Sequence, residues 1–176
     1  MLRHAKSDPS PLITVEGSLP STEATKRLAA QIGSVLQPGD TLLLTGQLGT
    51  GKTFFARSLI QSRLAALGLW EDVPSPSFTL VQTYELGPDT LWHVDLYRLS
   101  GPGDAVELGL DDAVDTAICL IEWPDRLGDL RPASAIDLTL TDAGDDRRTV
   151  SLSGPDTPQT RRILDIVRAT LELEHG

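Results

Sequence analysis

The segment Gly46-Gln47-Leu48-Gly49-Thr50-Gly51-Lys52-Thr53 decides the fold, because it matches the pattern G-x-x-x-x-G-K-[ST] at every fixed position. Glycine has no Cβ atom, so the backbone of such a loop can curl until successive N–H groups converge on one anion. The helix that follows adds the positive end of its dipole. The segment therefore predicts a phosphate-binding loop (P-loop) for a nucleoside triphosphate with Mg²⁺.

The residues on either side have the patterns that a P-loop requires. Thr41–Thr45 is apolar without alternation, which is typical of a central strand covered on both faces. From Thr53 to Leu67 apolar residues recur at helical spacing, and Gly68 ends the pattern. Within the loop, the Lys52 ammonium is expected to reach the β- and γ-phosphates, and the Thr53 hydroxyl is expected to bind Mg²⁺.

The rest of the chain alternates between helix and strand patterns, which predicts an α/β fold of the P-loop NTPase type. We expect a mainly parallel central sheet with antiparallel hairpin additions and helices on both faces. Polar residues 1–11 predict a flexible tail before a single domain at 12–176. The predicted strands are 12–15, 41–45, 79–86, 90–96, 117–121, 135–141 and 149–153, and the predicted helical segments are 22–36, 53–67, 105–110, 111–115 and 158–172.

Composition restricts the class of protein further. The chain has 176 residues, of which 40% are hydrophobic, as in an ordinary globular domain. It contains no apolar run of the ~20 residues that a membrane span needs, and its first residues do not resemble a secretory signal. A single cysteine, Cys119, suits a reducing compartment. We therefore expect a cytoplasmic protein with no membrane partner.

The charge argues against direct binding of nucleic acid. The formal net charge is −10. Proteins that bind RNA or DNA gain most of their affinity by neutralising phosphates with Lys and Arg. An acidic chain is therefore expected to act on nucleic acid only through a basic partner, although the same charge is also explained by solubility alone.

Two carboxylates are candidates for handling the metal and the attacking water. Glu122 follows the buried run Ala117–Ile121, at the carboxyl edge of the predicted sheet where ligands bind. Asp95 lies in the strand pattern that also contains His93. The residues alone do not decide which carboxylate holds Mg²⁺ and which positions water. His93 lacks the cluster of ligands that zinc needs, so we interpret it as an ordinary strand histidine.

Two further positions have open interpretations. Trp123, directly after Glu122, would either form a wall of the site or be a core aromatic residue. The loop Pro74–Thr79 carries hydroxyl groups on a proline-stiffened segment, including Ser77. Such a segment contacts the γ-phosphate or Mg²⁺ in nucleotide switches, but it is also consistent with a simple connection.

Five stretches together resemble the TsaE (YjeE) family, the P-loop ATPases of bacterial tRNA threonylcarbamoyladenosine biosynthesis. They occur in the family's order between about Leu19 and Val150. Each stretch alone is weak evidence, whereas the five together are highly specific. The stretches are 46–53 (GQLGTGKT), 75–81 (SPSFTLV), 93–99 (HVDLYRL), 107–110 (ELGL) and 121–124 (IEWP).

The resemblance implies a role for each matching residue. Asp95 and Lys52 would be catalytic, and Thr53 and Glu122 would hold Mg²⁺. The residues implied for binding ATP are Thr25, Gly46, Gly49, Thr50, Gly51, Lys52, Thr53, Phe54, Ser77 and Trp123. Two positions depart from the family pattern: Ser77 replaces the common Thr but keeps the hydroxyl, and Gln47 replaces the common Asp and loses a charge beside the loop.

The resemblance also implies an activity and partners. The family hydrolyses ATP slowly in a complex with the proteins TsaB and TsaD. TsaD transfers threonylcarbamoyl to the adenosine next to the anticodon, and ATP hydrolysis by TsaE would reset the complex. The chain would then contact tRNA only through its partners.

Two other classes remain as alternatives at this stage. A small-molecule kinase has a similar size but needs an acceptor pocket and basic lid residues. The pairs Arg147-Arg148 and Arg161-Arg162 are simpler to interpret as charges of a hairpin turn and a helix surface. A GTP-dependent switch would need an Asn-Lys-x-Asp motif, and the chain contains no Asn.

Overall fold

A seven-stranded sheet forms the centre of the computed structural model, which describes residues 11–175. The strands are β1 (Leu12–Leu19), β2 (Thr41–Thr45), β3 (Val81–Leu86), β4 (Asp89–Asp95), β5 (Ile118–Glu122), β6 (Ile136–Gly144) and β7 (Arg147–Pro155). The helices are α1 (Thr22–Gly33), α2 (Lys52–Ala66), α3 (Pro102–Glu107), α4 (Leu110–Thr116) and α5 (Pro158–Glu174), with a 3₁₀ segment at Pro124–Leu130.

The strand order is β1-β7-β6-β2-β5-β4-β3. The four inner strands β6, β2, β5 and β4 are mutually parallel. Antiparallel strands extend the sheet at both edges, with β7 and β1 on one side and β3 on the other. The predicted α/β fold with a mainly parallel centre and hairpin additions is therefore confirmed.

The sheet separates two hydrophobic cores, because successive side chains of a strand point to opposite faces. Leu42 and Leu44 of β2 belong to the larger core, which α1, α2 and α5 cover. Leu43 points the other way, into a smaller core that α3, α4 and the 3₁₀ segment cover. Helices thus lie on both faces, as predicted, and the carboxyl ends of β2, β4 and β5 meet at one edge.

The element boundaries differ from the predictions mainly where long-range pairing determines them. Strand β1 continues to Leu19 instead of ending near residue 15, because it pairs with β7 along its whole length. A Cβ atom at Gly17 in this strand would lie 2.4 Å from Leu171 Cδ1, so α5 packs directly on the β1 backbone. Helix α1 ends at Gly33, three residues before the predicted end.

The hairpin of β6 and β7 also extends further than predicted. Its turn consists only of Asp145 and Asp146, which have positive φ angles of 50° and 62°, as in a two-residue turn of the primed type. Strands β6 and β7 are therefore longer than the sequence pattern indicated. The 3₁₀ segment Pro124–Leu130 was not predicted.

The ends of the chain are described only in part. The predicted tail at 1–11 lies outside the described residues except for Pro11, whose carbonyl oxygen accepts a hydrogen bond from Asp156 N at 3.1 Å. Among residues 11–175, none of the helices combines the length and the apolar composition that crossing a bilayer requires.

Candidate nucleotide and metal site

The P-loop connects β2 to α2 through a backbone that only glycine permits at two positions. Gly46 has φ +156°, and a Cβ atom there would lie 2.4 Å from Thr50 Oγ1 and 2.6 Å from Leu140 O. Gly51 has φ 98° and is the N-cap of α2. Thr50 Oγ1 donates to Gln47 O at 2.9 Å and closes the loop on itself. The loop therefore leads into the N-terminus of α2, where backbone N–H groups without a partner inside the helix favour the binding of an anion.

Lys52 is the buried cation of the site, with only 5% of its surface exposed. Its Nζ atom donates to Gly46 O at 2.6 Å and to Gln47 O at 2.9 Å, and lies 4.3 Å from the centroid of the Trp123 ring. Burial lowers the pKa of Lys52, an effect that the nearby carboxylates Glu122 and Asp95 partly oppose. The ammonium is thus held over the loop by two carbonyl groups and an aromatic face.

Glu122, at the end of β5, is hydrogen-bonded to the first turn of α2. The Thr53 hydroxyl donates to Glu122 Oε1 at 2.7 Å, and the two residues are 69 positions apart in the chain. Glu122 is 2% exposed. Hydroxyl and carboxylate oxygens are the hard donors that Mg²⁺ prefers, and Mg²⁺ usually takes only one or two protein ligands beside phosphate oxygens and water. This pair therefore fits a Mg²⁺ ion that a bound triphosphate shares.

Asp95 lies beside Glu122, because β4 and β5 pair these two residues directly. Asp95 is 6% exposed, and its Oδ1 atom accepts a hydrogen bond from Tyr97 N at 2.9 Å. Its own backbone N–H donates to Leu80 O at 2.9 Å. The carboxylate is thus fixed at the carboxyl end of β4 by the turn that follows it.

A cavity of about 270 Å³ brings most of the predicted site residues together. Ser77 reaches it from the loop before β3, and its hydroxyl lies 2.6 Å from Ser75 Oγ. Trp123, which has φ 58°, forms part of the cavity wall. The centroid of its ring lies 4.9 Å from the centroid of the Tyr97 ring. The predicted residues that line this cavity are Gly49, Gly51, Lys52, Thr53, Phe54, Ser77, Asp95, Glu122 and Trp123.

The remaining predicted residues lie around the outside of the loop. Thr25 of α1 is almost fully buried and lines a small cavity of about 70 Å³ together with Thr50, Phe54 and Arg148. Gly46 lines a larger groove of about 970 Å³ together with Tyr97 and Trp123. Every predicted site residue therefore lines a cavity that borders the P-loop.

Two residues have contacts that the sequence interpretation missed. Arg148, interpreted as a hairpin-turn charge, donates from Nε to Thr50 O at 2.8 Å and is bonded to the P-loop. His93, interpreted as an ordinary strand histidine, lies 2.7 Å from Glu122 Oε2 through Nε2. The first contact has no local sequence signal, since it depends on where β7 lies. The second contact also has no local sequence signal, because the spacing of His93 and Asp95 shows only that both side chains share one face of β4, and the register of β4 against β5 decides what they meet.

Comparisons with known proteins agree with this architecture. Residues 19–150 match the family model described as threonylcarbamoyl adenosine biosynthesis protein TsaE. A tRNA threonylcarbamoyladenosine biosynthesis protein TsaE from Rickettsia bellii is 38% identical over 135 residues, which cover 77% of this chain and 92% of the relative. The protein of the same name from Bacillus subtilis is 33% identical over 132 residues, covering 74% and 80%.

A solved structure has a similar fold. The crystal structure of Bacillus subtilis YdiB superposes with a TM-score of 0.70 and 26% sequence identity. The match covers 93% of this chain and 98% of that chain. The similarity thus extends beyond the stretch that matches the family model.

Proposed function

The chain belongs to the TsaE family of tRNA threonylcarbamoyladenosine biosynthesis proteins, and on this basis we propose that it is a Mg²⁺-dependent ATPase subunit of that pathway. The observation that carries the proposal is the Thr53–Glu122 hydrogen bond inside a cavity that also contains Lys52 and Asp95. The cavity brings together a hydroxyl and a carboxylate of the kind that Mg²⁺ prefers, a cation and a second carboxylate, which supports the proposal.

In this proposal the loop and Lys52 bind the triphosphate of ATP. The N–H groups at the start of α2 and the Lys52 ammonium supply the positive charge. Lys52 is already buried, so its charge acts in a medium that screens it less than water does. Thr25, Phe54 and Arg148 extend the same surface on the α1 side of the loop.

Thr53 and Glu122 are the proposed ligands of Mg²⁺. When bound, the ion neutralises the charge that develops on the β- and γ-phosphate oxygens. Both protein ligands are held by regular elements, Thr53 in the first turn of α2 and Glu122 at the end of β5. The metal position is therefore defined by the packing of a helix on the central sheet.

Asp95 is the proposed catalytic carboxylate that orients the attacking water and accepts its proton. Its hydrogen bond from Tyr97 N fixes the orientation of the carboxylate. No arginine lines the 270 Å³ cavity in the part of the chain that the structure describes. An arginine that contacts the transferred phosphate raises turnover by about 10³–10⁵ in related enzymes, so slow hydrolysis is expected without a partner.

The proposed partners are TsaB and TsaD, in the cytoplasm, with tRNA contacted only through them. The net charge of −10 supports this division, because a strongly acidic chain has little attraction for RNA phosphates. If TsaB and TsaD contact the tRNA, this chain needs no basic surface of its own for that contact.

A small-molecule kinase remains the second candidate because of one feature. The groove of about 970 Å³ borders Gly46, Tyr97 and Trp123 and is large enough for an acceptor. Its arginine, Arg131, is paired with Asp137, and this exposed contact would have to break before Arg131 could act as a lid cation. Phosphorylation of a small acceptor by the purified protein, abolished by Lys52→Ala, would favour this second function.

The experiment that tests the proposal measures ATP hydrolysis by the purified chain with Mg²⁺, alone and with TsaB and TsaD. We expect slow hydrolysis that rises when both partners are added and disappears in the Lys52→Ala variant. The exposed Lys26 provides a matched control, because Lys26→Ala removes the same charge from the surface of α1. Hydrolysis that is indifferent to both partners would contradict the proposed complex.

A further inference from the structure

His93 and Glu122 form a pair of buried polar side chains at the centre of the sheet. His93 Nε2 lies 2.7 Å from Glu122 Oε2, and the two side chains are 0% and 2% exposed. Burying polar groups costs free energy even when they are hydrogen-bonded to each other. A pair at this depth therefore needs a reason other than stability.

The register of the sheet explains why the two side chains meet. Strand β4 pairs His93 with Leu120 and Asp95 with Glu122 in the parallel ladder with β5. Because side chains alternate between faces, His93, Leu120 and Glu122 all point to the face that α2 covers. Thr53 belongs to α2, so Glu122 lies between Thr53 and His93.

The two oxygens of Glu122 have different neighbours. Oε1 accepts from the Thr53 hydroxyl and faces the proposed Mg²⁺ position. Oε2 faces His93. We propose that His93 is a positioning residue that holds Glu122 in the orientation in which Oε1 binds Mg²⁺. This inference rests on the proposed Mg²⁺ site.

The protonation of the His93 ring follows from the donors and acceptors around it. A carboxylate that binds a metal is ionised and only accepts hydrogen bonds, so Nε2 carries the proton and donates to Oε2. Nδ1 has no hydrogen-bond partner among residues 11–175. With the proton on Nε2 only the Nδ1 lone pair is unpaired, whereas a proton on Nδ1 would leave both a buried donor and the carboxylate oxygen unpaired.

Residues that orient metal ligands have a measurable signature. Removing an outer hydrogen bond to a ligand typically weakens metal binding by about 10- to 100-fold while the ligand itself remains. The binding of nucleotide without metal depends on the loop and Lys52, which His93 does not touch. The inference therefore predicts a defect that appears only in the dependence on Mg²⁺.

The test compares three substitutions by titrating Mg²⁺ against the binding of a fluorescent, non-hydrolysable ATP analogue. His93→Gln places an amide N–H near the position of Nε2, whereas His93→Asn is too short to reach Glu122, and His93→Leu removes the polar group. We expect His93→Asn and His93→Leu to raise the Mg²⁺ concentration for half-maximal binding about 10-fold or more. We expect His93→Gln to stay within about 3-fold of wild type, and all three to keep the metal-free affinity.

The outcomes separate this inference from the proposed function. If wild-type binding depends on Mg²⁺ but His93→Asn titrates like wild type, the positioning role is wrong and the metal site remains. If wild-type binding does not respond to Mg²⁺, the proposed metal site fails and the inference fails with it. If His93→Gln and His93→Asn lose metal-free affinity and melting temperature to the same extent, His93 has a purely structural role. If His93→Leu does not fold, the comparison of His93→Asn with wild type and with His93→Gln still decides between these outcomes.

Discussion

Strand β5 consists of a buried apolar run and a buried carboxylate at its end, and the two have opposite effects on stability. Ile118–Ile121 is wholly apolar and fully buried, and burial raises the pKa of Cys119 to about 12. Glu122, the next residue, is equally buried but carries a carboxylate bonded to Thr53 and His93. The apolar part stabilises the fold by removing its surface from water. The carboxyl end costs stability, which fits the role proposed for Glu122 in the site better than a role in holding the fold.

The same contrast occurs along α2. Phe55 packs in the larger core with no exposed surface, while Lys52, one turn earlier, is buried against loop carbonyls and an aromatic ring. We therefore expect substitutions in the middle of the sheet to reduce stability, and those at its carboxyl edge to reduce binding or turnover with little loss of stability. The predictions below test this division.

The largest expected effect is on stability, in the core. Phe55→Ala should lower the free energy of unfolding by about 3–5 kcal/mol, because it removes a fully buried aromatic side chain and leaves a cavity. Denaturant unfolding measures the change. The matched control is Leu173→Ala on the exposed face of α5, for which we expect a change within about 0.5 kcal/mol. Equal losses for both variants would contradict the assignment of the core.

At the carboxyl edge, Lys52→Ala should weaken ATP binding about 100-fold, or ~3 kcal/mol, because it removes the buried cation. Calorimetric titration measures the affinity. The melting temperature should stay the same or rise, since an ammonium no longer has to be buried. A large loss of stability with unchanged affinity would reverse the division between core and site.

Asp95→Ala should separate binding from turnover. We expect the hydrolysis rate to fall about 100-fold, because the carboxylate proposed to orient water and accept its proton is lost. ATP affinity should change by less than about 3-fold, since Asp95 makes no contact with the loop carbonyls that hold Lys52. Steady-state hydrolysis and equilibrium binding on the same preparation measure both. An equal loss of both quantities would assign Asp95 to binding.

Glu122→Ala should have the smallest of these effects. We expect the Mg²⁺ concentration for half-maximal nucleotide binding to rise by at least about 10-fold, no less than in His93→Asn, because one of two proposed protein ligands is removed while Thr53 remains. Titration of Mg²⁺ at fixed nucleotide measures this shift. Glu107→Ala, an exposed substitution at the end of α3, is the control. An unchanged titration would remove Glu122 from the metal shell.

Local sequence patterns were enough for the parts of the molecule that local chemistry determines. The Gly-x-x-x-x-Gly-Lys-Thr stretch predicted the loop between β2 and α2, and the apolar run ending at Glu122 predicted a buried strand at the sheet centre. The same reasoning placed Glu122 at the carboxyl edge of the sheet and made Asp95 a second candidate carboxylate, and the structure pairs the two residues directly.

Features that depend on pairing between distant segments could not be predicted in this way. The full length of β1 depends on β7, which is more than 100 residues away in the chain. Arg148 contacts Thr50 only because the hairpin of β6 and β7 brings it to the loop. The contact of His93 with Glu122 depends on the register of β4 against β5, which the composition of neither strand determines.

The most direct test of the central claim is a crystal structure of the protein with a non-hydrolysable ATP analogue and Mg²⁺. We expect the phosphates to occupy the 270 Å³ cavity against the start of α2, with Mg²⁺ about 2.0–2.1 Å from Thr53 Oγ1 and in contact with Glu122. Phosphates bound elsewhere, for instance in the groove beside Arg131, or a metal that contacts neither residue, would contradict the account.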